Sequence, residues 1–171
     1  MATTIRRATD ADAAGAADVF IASRATMTYL PHRHSDAETR AFIGDLVSNT
    51  ETWVAERNGE IVGLAVIDGG WLEHLYVHPS RFGAGTGTKL FRQLSAEHPN
   101  GFQLWVFQQN VAARRFYERL GCALVRLTDG ANNEEHLPDA LYVWPGGEAR
   151  DHPGRSPKMP GRDAGQDRGL R

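Results

Sequence analysis

A single cysteine, Cys122, stands among the 171 residues. It excludes an internal disulfide and any cysteine-based zinc cluster, and it agrees with a reducing compartment. No apolar run approaches the roughly 18 residues that a membrane helix requires. The opening MATTIRRATDADAAG also lacks the apolar core of a secretory signal. The expectation is a cytoplasmic protein with no membrane partner. Charge of one sign is not in excess, with 19 Lys and Arg against 21 Asp and Glu. Six of those bases and four of those acids fall in residues 146–171, so residues 1–145 hold 13 and 17, a net of −4. Nucleic acid is therefore not the expected partner.

What is present is enough apolar material, 41% of residues, for one sizeable core. One domain over 1–145 is expected. The remainder, GGEARDHPGRSPKMPGRDAGQDRGLR, has no hydrophobic periodicity and reads as a disordered tail.

The order of elements follows from pattern and punctuation. TTIRRAT alternates weakly as a first strand, and Thr9 and Asp12 have capping-box spacing before a helix. Ala13, Ala16, Ala17, Phe20 and Met27 form that helix's apolar face, and the spacing predicts an end at Pro31. Ser35 and Glu38 repeat the capping-box spacing ahead of Phe42, Ile43, Leu46 and Val47. TWVAERNGEIVGLAVI then reads as two strands joined at Asn58-Gly59, a strong hairpin signal. WLEHLYVHP is a further strand stopped by Pro79. Leu90, Phe91 and Leu94 mark a third helix, FQLWVF a strand, and Asn110, Ala113, Phe116, Tyr117 and Leu120 a fourth helix ending at Gly121. CALVRLT and ALYVW complete the set. The expected fold is α/β, a mixed and mostly antiparallel sheet flanked by about four helices with one strand–helix–strand crossover.

The densest local signal is HPSRFGAGTGTKLF, residues 78–91, with glycines at 83, 85 and 87 between a strand and a helix. Glycine at this density allows positive φ and close backbone approach. A Walker A loop fails on spacing, because Gly87 is followed by Thr88 and only then by Lys89. A dinucleotide fingerprint fits poorly, since its third glycine arrives one residue early and the loop lies mid-chain. An anion cradle of backbone N–H groups at a helix N-terminus remains. A tight turn with no ligand is the structural alternative.

The run Leu75-Tyr76-Val77-His78-Pro79, then Gly83-x-Gly85-x-Gly87 and Leu90, resembles the acetyl-CoA-binding motif of the GNAT superfamily of N-acetyltransferases. Downstream, Asn110 opening a helix that closes in Phe116-Tyr117 and Gly121 is similar to the family's second motif, and NEEHLPDALYVW is familiar from bacterial members. The resemblance covers residues 5–144. It implies a sheet splayed at the coenzyme strand, acetyl-CoA as cosubstrate, no metal, and direct acetyl transfer to an amine by a monomer or homodimer. It departs at Phe82, where the family usually has Gln or Arg, with Arg81 one place earlier. Cys122 replaces an aromatic after Gly121 and reads as a packing change.

The same resemblance implies site residues. The coenzyme's diphosphate would lie on the backbone of Arg81, Phe82, Gly83, Ala84, Gly85, Thr86, Gly87 and Thr88, and its pantetheine arm along Leu75, Tyr76 and Val77. Asn110 would cap its helix and also touch the coenzyme. Tyr117 would give a proton to the departing thiolate; on spacing alone it is equally a core aromatic. Glu73 would serve as general base, against the alternative of a solvent-facing strand carboxylate, with Glu134 or Glu135 in reserve. Tyr29, Leu30, His32 and Glu134 would border the acceptor, a small-molecule amine in preference to a protein tail. His32 and His34 without a third ligand are a weak metal signal. Trp71, Trp105 and Phe107 read as core or pocket wall. A module of the same fold that binds acyl-CoA without turnover is the alternative function.

Overall fold

The computed structural model describes residues 2–147, and these fall into two compact units, with the boundary between Ala96 and Glu97. Apart from Gly146 and Gly147, the expected disordered tail lies outside the described residues. Among the described residues, seven strands and four α-helices give a mixed α/β fold in which every strand pairing within each unit is antiparallel.

The first unit runs β1 (Thr4–Arg7), α1 (Ala13–Ala25), α2 (Asp36–Asn49), β2 (Glu51–Arg57), β3 (Glu60–Asp68), β4 (Trp71–Val77) and α3 (Thr86–Glu97), with strand order β1-β2-β3-β4. Asn58 and Gly59, both at positive φ, close the β2–β3 hairpin as their sequence requires. Gly69 and Gly70, at φ 54° and 82°, make the next turn in the same way. α1 buries Ala16, Ala17, Val19 and Phe20, and Phe20 alone accounts for about 1.5–3 kcal/mol of apolar burial. A Cβ on Gly15 would lie 2.9 Å from Ile61 of β3, so glycine is what allows α1 to approach the sheet.

α1 stops at Ala25, short of Pro31, and Met27 lies beyond it. The Thr26 and Met27 N–H groups bond three residues back, to Ser23 and Arg24, and the Thr26 hydroxyl donates to the Ser23 carbonyl at 2.6 Å. Those bonds tighten the last turn and compete with further helix. Thr9 and Asp12 do form their predicted box, but around a short 3₁₀ turn, Asp10–Asp12, that leads into α1. Ser35 and Glu38 cap α2 reciprocally, at 3.1 and 2.8 Å.

Asp12 has a second partner, the Arg6 guanidinium, at 2.8 and 2.9 Å. That hydrogen bonding, opposed by burial, holds its carboxyl at about 2, below the usual carboxylate range. A depressed native pKa contributes stability above the unfolded value and loses it as pH falls through the native one. Asp12→Asn is expected to lower the melting temperature at pH 7 and to flatten its decline between about pH 4 and 2; thermal scans of both proteins across that range check this.

The second unit carries β5 (Phe102–Phe107), α4 (Val111–Arg119), β6 (Ala123–Thr128) and β7 (Asp139–Trp144), in strand order β5-β7-β6. Tyr142 of β7 is fully buried; its hydroxyl donates to Glu118 at 2.6 Å and accepts from Arg114 Nε at 3.0 Å. One phenol thereby fixes two successive turns of α4 against the sheet. Cys122 is buried behind α4, and burial pushes its thiol up to about 12. Since the thiolate is the reactive species, native protein is expected to leave Cys122 unlabelled by a disulfide reagent at pH 8, and denatured protein to label one thiol per chain.

Candidate active site

In the first unit the glycine loop is a continuous series of tight turns. The His78 N–H is anchored on Val62 of β3 at 2.8 Å, while the His78 ring nitrogen Nδ1 lies 2.8 Å from the Ser80 hydroxyl and accepts from the Ser80 N–H at 3.2 Å. Pro79 opens a 3₁₀ turn, Pro79–Arg81, that was not legible in the sequence. Gly83 and Gly85 take φ of 76° and 81°, the left-handed region that disfavours side chains. α3 begins at Thr86, and the Lys89 N–H closes its first turn on the Gly85 carbonyl at 3.1 Å. The N–H groups of Thr86, Gly87 and Thr88 thus belong to a helix start, where donors have no intrahelical acceptor.

A Cβ added to Gly83 or Gly85 would meet nothing within 4 Å. The two glycines are therefore required by backbone conformation and not by crowding. Gly63 on β3 has the opposite role. Its absent Cβ would lie 3.0 Å from Leu90 and 3.3 Å from Thr86, so it seats the start of α3 against the sheet. Phe82 points outward, 57% exposed, whereas Arg81 is half-buried with an Nε that has no hydrogen-bond partner among the described residues.

β4 leads directly into this loop. Its ladder with β3 pairs Ala65 with Leu75, Leu64 with Tyr76 and Gly63 with Val77, but skips Glu73, the extra residue of a β-bulge between Leu72 and His74. A bulge re-aims the side chain it carries, and Glu73 is half-buried. His74 and Tyr76 face α1, their rings 5.4 and 5.0 Å from that of Phe20. The Arg24 guanidinium lies 5.5 Å from the Phe20 ring and 3.5 Å from the Tyr76 hydroxyl. Burial, with Tyr76 adding and Arg24 opposing, pushes the Tyr29 phenol up to about 12. Tyr29 thus joins the Tyr76 and Arg24 group and Leu30 is half-buried behind it, whereas His32 stands exposed on the following loop. The His74 cluster was not singled out from the sequence; its signal was the two-residue spacing of His74 and Tyr76 in WLEHLYV.

In the second unit the Asn110 side chain caps α4, accepting from the Ala113 N–H at 3.1 Å. Tyr117 is the buried residue of α4, its ring edge-on to Phe116 at 5.0 Å, and Gly121 at φ 97° ends the helix. The loop between β6 and β7 carries Glu134, half-buried, and Glu135, buried. It is held from within by Asn133, whose amide donates to the Leu137 carbonyl at 2.7 Å and to Asp139 at 3.1 Å, while Thr128 donates to Asp139. Among the described residues no group of three or more His, Cys, Asp or Glu side chains could hold a metal ion.

Residues 48–121 match the family description Acetyltransferase (GNAT) domain. Peptidyl-lysine N-acetyltransferase YiaC of Escherichia coli is 31% identical over 101 residues, which are 58% of this chain and 66% of that protein. The chain thus spans just under two thirds of that relative's length. Apo YjaB of Escherichia coli has the same fold, with a TM-score of 0.70 at 20% identity over 86% of this chain and all of the other. YncA of Salmonella typhimurium, solved with its cofactor acetyl-CoA, superposes with a TM-score of 0.64 at 24% identity over 86% and 96% of the two chains. The family match is thus confined to residues 48–121, and the solved structures share the fold.

Proposed function

We propose that the protein transfers the acetyl group of acetyl-CoA directly to a primary amine. The carrying observation is the glycine loop, two left-handed glycines with open space at their Cβ positions leading directly into the start of α3. Acetyl-CoA supplies the thioester that the amine attacks. The N–H groups from Gly83 to Thr88 hold the diphosphate, with the α3 dipole adding to the attraction. Arg81 supplies the side-chain contact that Phe82 cannot, its unpartnered Nε being suited to a phosphate oxygen. The backbone of Leu75, Tyr76 and Val77 bonds the pantetheine arm as an added strand would, and Asn110 contacts the coenzyme.

Tyr117 donates a proton to the departing thiolate, and Glu73 takes one from the incoming ammonium so that a neutral amine attacks. Support for these roles comes from the motif positions, the burial of Tyr117 and the bulge at Glu73. The acceptor is a small-molecule amine, with Tyr29, Leu30 and His32 as its contacts in the first unit. A second reading, a lysine side chain of a protein, draws on the 31% identity to a peptidyl-lysine acetyltransferase.

Release of CoA thiol in the presence of acetyl-CoA and a panel of amines tests the proposal. The panel holds amino acids, polyamines, aminoglycosides and a lysine peptide. Turnover with a small amine is the expected result; turnover with the peptide alone would transfer the assignment to the second reading. Acetyl-CoA binding with no thiol release from any acceptor would overturn catalysis in favour of a binding module.

A further inference from the structure

α4 is a helix of 9 residues, too short to hold its shape in water without tertiary support. Its two ends are satisfied locally, by the Asn110 side chain on the Ala113 N–H at 3.1 Å and by the turn at Gly121. Caps of this kind fix where a helix starts and stops. They leave open its rotation about its own axis. Burial adds little to settle that rotation, because Tyr117 is the single buried side chain of α4 and apolar contact is non-directional.

The directional contact comes from β7. Tyr142 sits on the central strand of the second unit, paired with Leu104 of β5 on one side and Leu124 of β6 on the other, and it is fully buried. Its ring therefore presents the hydroxyl at a fixed point. That hydroxyl donates to Glu118 at 2.6 Å and accepts from Arg114 Nε at 3.0 Å. Both partners are ionisable side chains, of opposite sign, and charge makes such bonds short and strong. They stand four residues apart, on one face of the helix. Tyr117 is the residue before Glu118 and the third after Arg114. Two bonds one turn apart, converging on one immobile oxygen, set the rotation of α4 and with it the direction of the Tyr117 side chain.

We propose that Tyr142 is a positioning residue for the transfer reaction: through Arg114 and Glu118 it holds α4 at the rotation that aims the Tyr117 hydroxyl at the departing thiolate. The inference rests on the role given to Tyr117 above. A helix rotation of about 10° carries a side-chain tip roughly 5–6 Å from the axis through about 1 Å. Misplacement of that size costs about 10²-fold in rate. Coenzyme affinity is set by the glycine loop and β4 of the first unit, and Asn110 keeps its place through its own cap. Loss of the Tyr142 hydroxyl therefore falls on the chemical step.

Steady-state kinetics, acetyl-CoA binding by calorimetry and hydrogen exchange of the coenzyme-free chain test the proposal together. Tyr142→Phe is expected to lower kcat about 10- to 100-fold, to keep the acetyl-CoA dissociation constant within about twofold, and to raise exchange of the α4 amides severalfold. In a Tyr117→Phe background the same substitution should lower kcat by less than about twofold, because a positioning residue has no further effect once the group it positions is gone. Glu118 is exposed, so Glu118→Ala tests the same contact in a chain that folds even where Tyr142→Phe does not. The same loss of kcat is expected there, with most of it restored in Glu118→Gln, whose amide oxygen still accepts from the phenol. Unchanged kcat or unchanged α4 exchange in either folded variant overturns the proposal, as does an equal loss with and without the Tyr117 hydroxyl; the role of Tyr117 then stands by itself. Unchanged turnover in Tyr117→Phe overturns both.

Discussion

Gly85→Val is expected to abolish acetyl-CoA binding, with a loss of at least 100-fold in affinity by calorimetry or thermal shift. Two effects combine. Gly85 sits at φ 81°, where a β-branched residue is strained by about 1–3 kcal/mol. Its missing Cβ faces open space, so the valine methyls would fill the volume in front of the cradle without striking the protein. The fold should therefore survive with a melting temperature lower by several degrees. Gly85→Ala separates the two effects, since it retains most of the strain and adds one methyl; an intermediate loss is expected. Wild-type affinity in a folded Gly85→Val protein would show that the loop is not the coenzyme cradle. Failure of acetyl-CoA to stabilise the wild type would remove the functional assignment altogether.

Tyr117→Phe is expected to lower kcat by about 10²- to 10⁴-fold, the usual contribution of a positioned proton donor, and to leave the acetyl-CoA dissociation constant within about twofold. The substitution conserves volume, so α4 keeps its packing. Only the hydroxyl is lost. An effect on kcat without one on coenzyme affinity is the signature of a group that acts in the transition state. Steady-state kinetics with the best amine from the panel, together with a binding measurement, read both quantities. Unchanged turnover would leave Tyr117 as a packing residue of α4, the role its burial already supports.

Much of this was legible in one dimension because it depends on neighbours in the chain. The Asn58-Gly59 hairpin, the Ser35–Glu38 box, the Asn110 cap and the glycines of the loop are local devices, each satisfied within a few residues. Helix ends were less legible. α1 was expected to run to Pro31, but hydroxyl and 3₁₀-type bonds after Ser23 closed it at Ala25, a competition that periodicity does not report.

Patterns local in the chain set most of the elements, the left-handed glycines and the motif spacing that carries the GNAT resemblance. Tertiary structure decided the bulge that holds Glu73, the grouping of Tyr29 with Tyr76 and Arg24, the role of Gly63 in seating α3, and the contact of Tyr142 with α4. The physical reason is register. A one-residue slip reverses every side chain on a strand, and register is set by pairing between segments distant in sequence, so no local pattern contains it.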